Sequence, residues 1–299
     1  MKILIAPDSF KECLSAFAVT EALSVGLRRS GVPDSSLLCR PLADGGEGFL
    51  DVLHHALGGE IDTVCVSGPM GNPVSARYGL LDSGRTAVIE MAEAAGVHLL
   101  PVEGRNPGVT TTRGVGELIK HVLDLGVQRI LVGLGGSVTN DGGTGMAAAL
   151  GACFKDADGK PLAPGGAALH HLVEVDLSGF DKRLQTVEVV GACDVLNTLC
   201  GDKGASFVYG PQKGASPKEV QQLDEALYHY AAVVKKQMGV EVLSLAGGGA
   251  AGGLAAGLAL FAGATLRSGA ELVFEAYGDM EESIGSASII ISGEGAVDG

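Results

Sequence analysis

The chain has 299 residues, of which 46% are hydrophobic and 19% charged, so it can build one large domain or two ordinary domains with a hydrophobic core. Its formal net charge of -14 disfavours nucleic acid and anionic membranes as partners, because phosphate-rich surfaces attract positively charged proteins. The 47 glycines are about twice the usual share and the 11 prolines are few, which excludes collagen-like and low-complexity chains. This composition best fits a soluble enzyme with many glycine turns and ligand loops.

The cysteines indicate a reducing compartment. No two of them form a C-x-x-C pair, and they are scattered along the chain at Cys13, Cys39, Cys65, Cys153, Cys193 and Cys200. Zinc knuckles and disulfide scaffolds cluster their cysteines, so these residues are predicted to be reduced thiols of a cytoplasmic protein. Residues 1–7 predict a strand and a turn, without the apolar region and cleavage site of a signal peptide.

The first sixty residues predict a βαβα order. Strands are expected at residues 3–6 and 37–41, and a second helix is expected to end at Leu57. The first helix is expected over residues 16–30, with its buried face formed by Ala18, Val19, Ala22, Leu23 and Leu27. This order implies a parallel sheet, with the polar loops that follow both strands at the same edge.

The pattern changes after a candidate domain boundary near Ile61. Three short strands separated by turn residues are expected between residues 63 and 91, and they favour hairpins over crossovers. A helix opened by a threonine run is expected over residues 110–125. A further strand is expected at residues 187–192, and residues 217–238 give the strongest helix prediction in the chain.

The central stretch, residues 129–145, combines a short apolar strand with a glycine-rich turn and the start of a helix. Strand, glycine turn and helix in this order can cradle a phosphate, because backbone N–H groups then face an anion. Ser137, Thr139 and Asn140 would add donors, and Asp141 is a candidate cation ligand or base. A tight turn whose glycines only supply positive φ remains an alternative, since the Walker spacing is absent.

The apolar stretch at residues 246–263 is long enough to suggest a membrane span, but it is mostly Gly and Ala and lacks basic or aromatic flanks. A glycine turn that enters a tightly packed helix explains it better. That turn, with Gly248 and Gly249, is a second candidate phosphate loop.

Five loops at predicted strand ends carry acids, hydroxyls or glycines. They contain Asp8 and Ser9 with Lys11, Asp44 with Glu47, residues 137–141, Asp194 with Asn197, and Glu294 with Asp298. Together they predict a cleft that binds Mg²⁺ through carboxylates and phosphate through glycines and a lysine, as phosphoryl transfer requires. A dinucleotide-dependent oxidoreductase and a nucleotide-binding protein without turnover are alternatives, although no G-x-G-x-x-G motif follows the first strand.

Seven segments give the chain a specific resemblance, and they run in the same order along its whole length. They are IAPDSFKE from Ile5, PLADGGEG from Pro41, GLGGSVTNDGG from Gly133, ACDV from Ala192, YGPQKGA from Tyr209, GAAGG from Gly249 and SGEG from Ser292. In these segments the chain resembles the bacterial glycerate kinases that make 2-phosphoglycerate. The resemblance implies transfer of the ATP γ-phosphoryl group to D-glycerate, with ATP and Mg²⁺ as cofactors.

The resemblance also implies the fold class, which is α/β: a Rossmann-like parallel-sheet domain with a second, mixed-sheet α/β domain inserted into it. The expected boundaries are 1–61 plus 268–299 for the first domain and 62–267 for the second. The chain departs from the family in Leu196, Asn197 and Thr198, where the family has Asp-Asn-Pro. It also lacks the βα units that usually follow Gly-Glu-Gly, so we expect an uncovered sheet edge at residues 289–291 and a possible homodimer.

Roles follow from matching the motifs residue by residue. Asp194, Lys11 and Asp44 are the predicted catalytic residues, with Asp194 accepting or orienting the glycerate hydroxyl proton. The expected substrate contacts are Asp8, Ser9 and Lys11. The expected nucleotide contacts are Gly135, Gly136, Ser137, Thr139, Asn140, Lys213, Gly248 and Gly249, and the expected Mg²⁺ ligands are Asp141, Asp44 and Glu294.

Overall fold

The computed structural model describes residues 2–10 and 13–295. Lys11, which is predicted to be both a catalytic and a substrate-binding residue, lies outside the described residues, and so does Asp298.

A small parallel sheet is built from both ends of the chain. Its strands, in spatial order, are β11 (Ile289–Ile291), β1 (Ile3–Ile5) and β2 (Leu37–Cys39). In the register of this sheet Ile3 lies between Leu37 and Ile289. The three residues of β1 are buried, because strands on both sides and helices cover them.

A larger mixed sheet is built from the middle of the chain. Its strands, in spatial order, are β10 (Thr265–Arg267), β9 (Glu188–Ala192), β6 (Arg129–Gly133), β5 (Thr86–Glu90), β4 (Pro73–Leu81) and β3 (Glu60–Ser67). Strands β3, β4 and β5 pair antiparallel, which confirms the predicted hairpins, and the pairs from β5 to β10 are parallel. A separate hairpin pairs β7 (Cys153–Lys155) with β8 (Glu174–Asp176).

Ten α-helices connect these strands in the described residues. They are α1 (Ala16–Arg29), α2 (Phe49–Leu57), α3 (Ala92–Ala95), α4 (Arg113–Asp124), α5 (Thr144–Ala149), α6 (Ala205–Tyr209), α7 (Pro217–Met238), α8 (Leu254–Ala262), α9 (Gly269–Tyr277) and α10 (Met280–Ser286). The longest, α7, has the predicted bounds because Ser216 and Glu219 form a capping box and Gly239 ends the helix at φ +72°.

Side chains of the mixed sheet alternate between two hydrophobic cores. In β6, Ile130 and Val132 face a core that contains residues of α4 and α8, whereas Leu131 faces a core that contains Leu50 of α2 and Leu272 of α9. Helices from the two ends of the chain therefore cover one face of the mixed sheet. The predicted α/β fold with a parallel and a mixed sheet is confirmed, and the domain boundaries at residues 61 and 268 stay predictions.

The expected uncovered surface lies on β11. Strand β11 pairs with β1, yet Ile289 is 44% and Ile290 51% exposed. The Gly- and Ala-rich segment contains α8, a short and almost fully buried helix. Within residues 2–10 and 13–295, no helix is long and apolar enough to cross a membrane.

The buried face of α1 differs from the prediction. Ala18 and Ala22 are exposed, whereas Thr20 and Ser24 are buried beside Val19. The hydroxyls of Thr20 and Ser24 donate to the carbonyl oxygens four residues earlier, both at 2.8 Å. These bonds satisfy the hydroxyl groups without water, so the polar residues replace the predicted alanines in the core.

Candidate active site

A cleft of about 460 Å³ opens at the carboxyl ends of β1, β2 and β11. It is lined by Asp8, Leu42, Ala43, Asp44, Ala270, Ser292, Gly293 and Glu294. A fourth carboxylate borders it, since Oδ2 of Asp194, which follows β9, accepts a hydrogen bond from the Ala270 N–H at 3.4 Å. Four of the five predicted loops therefore converge, as expected for parallel strands that end at one edge.

Backbone hydrogen bonds fix the loop that carries Asp8. The Asp8 N–H donates to the Gly293 carbonyl at 2.9 Å, and the Ser292 hydroxyl donates to the Ala6 carbonyl at 2.9 Å. Within the loop, the N–H of Ser9 donates to Oδ1 of Asp8, and the Ser9 residue is buried. The ends of β1 and β11 thus hold Asp8 and Glu294 in one cleft wall.

The loop that carries Asp44 packs against the ends of β6 and β9, and its glycines permit this close contact. The Gly135 N–H donates to the Gly45 carbonyl at 3.2 Å. A Cβ on Gly45 would lie 2.7 Å from the Ala192 carbonyl oxygen, and one on Gly135 would lie 2.4 Å from Cα of Gly46. Gly45 also has φ +88°, a conformation that favours glycine. The Gly46 N–H donates to Oδ1 of Asp44 at 2.8 Å and orients that carboxylate.

The central loop enters the protein interior soon after Gly135. The carbonyl of Gly136 accepts from Val97 N–H at 2.8 Å, and Ser137 is only 7% exposed. Thr139 and Asn140 are completely buried, and Nδ2 of Asn140 donates to the Ser206 hydroxyl at 3.0 Å. These predicted phosphate donors do not line the cleft that contains Asp44, so the structure separates them from the four carboxylates.

Asp141 is the centre of a buried hydrogen-bond network. Its carboxylate accepts from the Thr111 hydroxyl at 3.3 Å, from the Thr112 N–H at 2.8 Å and from the Thr112 hydroxyl at 3.0 Å. The N–H groups of Gly143 and Gly145 add two bonds, at 3.1 and 3.2 Å. Complete burial raises the pKa of Asp141, and these hydrogen bonds oppose that rise. Asp141 is completely buried and does not line the cleft with Asp44 and Glu294, the other two predicted metal ligands.

Lys213 is also buried, at 1% exposure, and its Nζ donates to the Thr139 carbonyl at 2.7 Å. Burial lowers the pKa of Lys213 to about 7, although the nearby charge of Asp141 acts in the opposite direction.

The backbone N–H groups of the second candidate phosphate loop form hydrogen bonds within the protein. The N–H of Gly248 donates to Leu245 O at 3.0 Å, and that of Gly249 donates to Asn197 O at 2.9 Å.

The sequence prediction missed two groups near the site. Thr110, Thr111 and Thr112 were expected inside a helix, but α4 begins at Arg113 and all three threonines are buried. Three successive hydroxyl residues before an amphipathic helix were the available signal. Glu90, at the end of β5, was also missed; it is 5% exposed and accepts a hydrogen bond from α2.

The cleft contains carboxylate oxygens, which are the kind of ligand that the predicted Mg²⁺ requires. Across the described part of the chain, no three His, Cys, Asp or Glu side chains group closely enough to hold a metal ion by themselves. Mg²⁺ usually retains waters and is held by one or two carboxylates together with substrate phosphates. The cleft, with Asp44 and Glu294 in its lining, fits that mode of binding.

An α/β fold with a carboxylate-lined cleft at its strand ends is typical of enzymes that act on small molecules. The chain belongs to the glycerate kinase family, whose sequence model matches residues 3–299. It is 48% identical to the glycerate kinase of Bacillus subtilis (strain 168) and 48% identical to the glycerate 2-kinase of Escherichia coli (strain K12). Each match spans 298 residues, which is 100% of this chain and 78% of the relative.

A solved structure gives the same result. The chain is 50% identical to "putative glycerate kinase 2" from Salmonella typhimurium LT2, with a TM-score of 0.88. That match covers 100% of this chain and 79% of the other. The family resemblance found in the seven sequence segments is confirmed.

Proposed function

We propose that the protein transfers the γ-phosphoryl group of ATP to the 2-hydroxyl of D-glycerate and so produces 2-phosphoglycerate. The observation that carries the proposal is the cleft in which Asp8, Asp44 and Glu294 lie beside Asp194. The glycerate 2-kinase of E. coli, 48% identical over the full chain, supports the choice of substrate and position. Phosphoryl transfer depends mainly on positioning and charge stabilisation, and the strand-end loops suit both.

Asp194 is the proposed general base. It is exposed and its only described hydrogen bond, from the Ala270 N–H, is long at 3.4 Å, so its carboxylate remains able to accept a substrate proton. Asp44 is the alternative base, because it lines the same cleft and the Gly46 N–H holds one of its oxygens.

The glycerate carboxylate is proposed to contact Lys11, because a flexible ammonium suits a small anion. Asp8 and Ser9 precede Lys11 in the sequence and are proposed to bind the glycerate hydroxyls. Lys11→Met should raise the KM for glycerate about tenfold or more and leave the KM for ATP within a few-fold, because only one substrate loses its partner. An equal rise in the KM for glycerate and the KM for ATP would contradict the assignment of Lys11 to the glycerate carboxylate.

Asp44 and Glu294 are proposed to hold Mg²⁺ together with the nucleotide phosphates. The ion would neutralise charge on the transferring phosphoryl group. Asp141 is the weaker candidate ligand, because its buried carboxylate already accepts hydrogen bonds from four residues. The polypeptide near Gly135, Gly136 and Ser137 is proposed to border the phosphates, and Gly248 and Gly249 stay candidate nucleotide contacts.

The decisive assay combines the protein with D-glycerate and Mg-ATP and follows the product by phosphorus NMR. A single product resonance assigned to 2-phosphoglycerate is the expected result. Formation of 3-phosphoglycerate would show that the enzyme phosphorylates the 3-hydroxyl instead. Nucleotide binding without any product would show that the protein binds nucleotide but is not a kinase. ATP hydrolysis at a rate that does not depend on glycerate would contradict the proposal that glycerate accepts the phosphoryl group.

We also infer a cytoplasmic enzyme that does not bind nucleic acid, since the net charge of -14 repels phosphate backbones. A homodimer is a further proposal. Light scattering at several protein concentrations would distinguish a dimer from a monomer.

A further inference from the structure

We infer that Lys213 is a positioning residue that fixes the central loop through the Thr139 carbonyl, and that it does not itself bind nucleotide. The inference extends the proposed kinase function and rests on it, because its kinetic test measures kinase activity. Two hydrogen-bond systems on the loop carry it, one centred on Lys213 and one on Asp141.

The first observation is how the structure holds Lys213 itself. The residue ends a short 3-10 helix, Pro211–Lys213, and its N–H donates to the Gly210 carbonyl at 3.0 Å. The next residue, Gly214, has φ +94° and packs so closely that a Cβ would lie 2.3 Å from the Arg105 carbonyl oxygen. This turn directs the lysine side chain inward, where the 1% exposure leaves no room for a bound phosphate at its surface.

The second observation is the bond to the loop. A buried carbonyl with a nitrogen donor at 2.7 Å forms a strong hydrogen bond, because water does not compete for either group. The Thr139 hydroxyl has no hydrogen-bond partner among the described residues, and Gly252 packs closely against the Thr139 carbonyl. Lys213 is therefore the main polar contact that fixes the loop at this residue.

The third observation is a second buried hydrogen-bond system on the same loop. Asp141 lies two residues after Thr139, and the N–H and hydroxyl of Thr112 donate to its carboxylate. Lys213 donates to Thr139 itself. A buried polar group is costly unless hydrogen bonds compensate it, so both systems favour the observed position of the loop.

The final link leads to the cleft. From Thr139 the chain runs back through Val138, whose carbonyl accepts from the Thr110 hydroxyl at 2.8 Å, to Gly135. Gly135 donates to Gly45, the residue next to Asp44 in the cleft wall. An error of about 1 Å at such a position can cost about a hundredfold in rate, so a buried lysine can control catalysis without touching substrate.

The test uses Lys213→Met, which keeps the shape of the side chain and removes its charge and donors. We expect kcat to fall about a hundredfold while the KM for ATP stays within about threefold, because a misplaced loop affects the transition state more than ground-state binding. Amide hydrogen exchange of residues 135–140 should rise about tenfold or more. Lys218→Met, at an exposed position of α7, is the matched control and should change none of these quantities.

A second variant separates the Lys213 bond from the Asp141 network. Asp141→Asn combined with Lys213→Met removes both buried ionisable groups, and we expect its thermal midpoint to lie below that of Lys213→Met alone, because the new amide nitrogen faces N–H donors. The double variant should still show the faster exchange, because the bond to Thr139 is absent. If Lys213→Met instead raises the KM for ATP about tenfold and leaves exchange unchanged, Lys213 binds nucleotide directly and the inference is wrong. A wild-type protein without kinase activity would refute the proposed function, whereas unchanged exchange in both variants would refute this inference.

Discussion

The N–H of Leu50 donates a 2.8 Å hydrogen bond to Oε1 of Glu90 and so joins the first turn of α2 to the end of β5. Burial raises the pKa of Glu90 to about 7; the charges of Glu93 and Asp51 add to the rise, and the Leu50 bond and Arg77 oppose it. Because the native state binds the proton more tightly than the unfolded chain, Glu90 favours the fold below pH 4.5. That contribution is lost as the pH rises through about 7.

Glu90→Gln should therefore leave stability nearly unchanged at pH 4.5 and increase it by up to about 3 kcal/mol at pH 8.5. Glutamine keeps an acceptor for the Leu50 N–H but carries no charge. Urea unfolding at both pH values measures the difference, with the exposed Glu60→Gln as control. A gain of equal size at the two pH values would show that the carboxyl charge is not the cause.

Asp194→Asn tests the proposed base. The amide oxygen can still accept from the Ala270 N–H, so the loop should keep its place while the proton acceptor is lost. We expect kcat to fall about a hundredfold or more, with the KM for ATP within a few-fold. Asp202→Asn, exposed in the same segment, should behave as wild type. A near-normal kcat in Asp194→Asn would transfer the role to Asp44.

Gly135→Ala tests the contact between the two glycine loops. The added Cβ would lie 2.4 Å from Cα of Gly46, so the loops must separate, and both kcat and the thermal midpoint should fall. Gly26→Ala is the matched control, because Gly26 lies in α1 with nothing within 4 Å of a Cβ. That control should stabilise the protein by about 0.5–1 kcal/mol. Calorimetry and steady-state kinetics on the pair separate the clash from a general effect of alanine.

Thr112→Val tests the Asp141 network. The Thr112 hydroxyl donates to Asp141 and accepts from the Met146 N–H at 2.9 Å, so valine leaves two buried groups each short of a partner. We expect a loss of about 3 kcal/mol in the free energy of unfolding. Thr63→Val, on the exposed face of β3, should stay within about 0.5 kcal/mol of wild type. A small loss in both variants would mean that other donors fully satisfy Asp141.

Local signals allowed the sequence to predict much of the fold. The bounds of α7 are those predicted, because Pro217 at the first helical position and the Ser216 cap define its start within a few residues. The convergence of Asp8, Asp44, Asp194 and Glu294 was also predictable, since parallel strands place their following loops at one edge.

The burial of the central loop was not predictable by the same means. Its polar residues looked like ligand donors because their own sequence contains no sign of the groups that cover them. Among the donors to this loop, Thr112 bonds to Asp141 and Lys213 bonds to Thr139, and these two lie 29 and 74 residues away along the chain. The inward face of α1 was missed for a different reason: Thr20 and Ser24 bond to their own helix and so tolerate burial.

The pairing of α2 with α9 over one face of the mixed sheet also determines when that face can close during synthesis. Tyr277, the last residue of α9, donates through its hydroxyl to the Pro41 carbonyl at 2.9 Å, and 236 residues separate the two. Ribosomes add about 5–20 residues per second, so this interval lasts on the order of tens of seconds. Late in this interval, once Val190 has been made, α2 can cover only part of an apolar face that includes Val88, Leu131 and Val190. The nascent chain thus exposes an apolar face of the mixed sheet until α9 leaves the ribosome. This is the surface that a chaperone would protect.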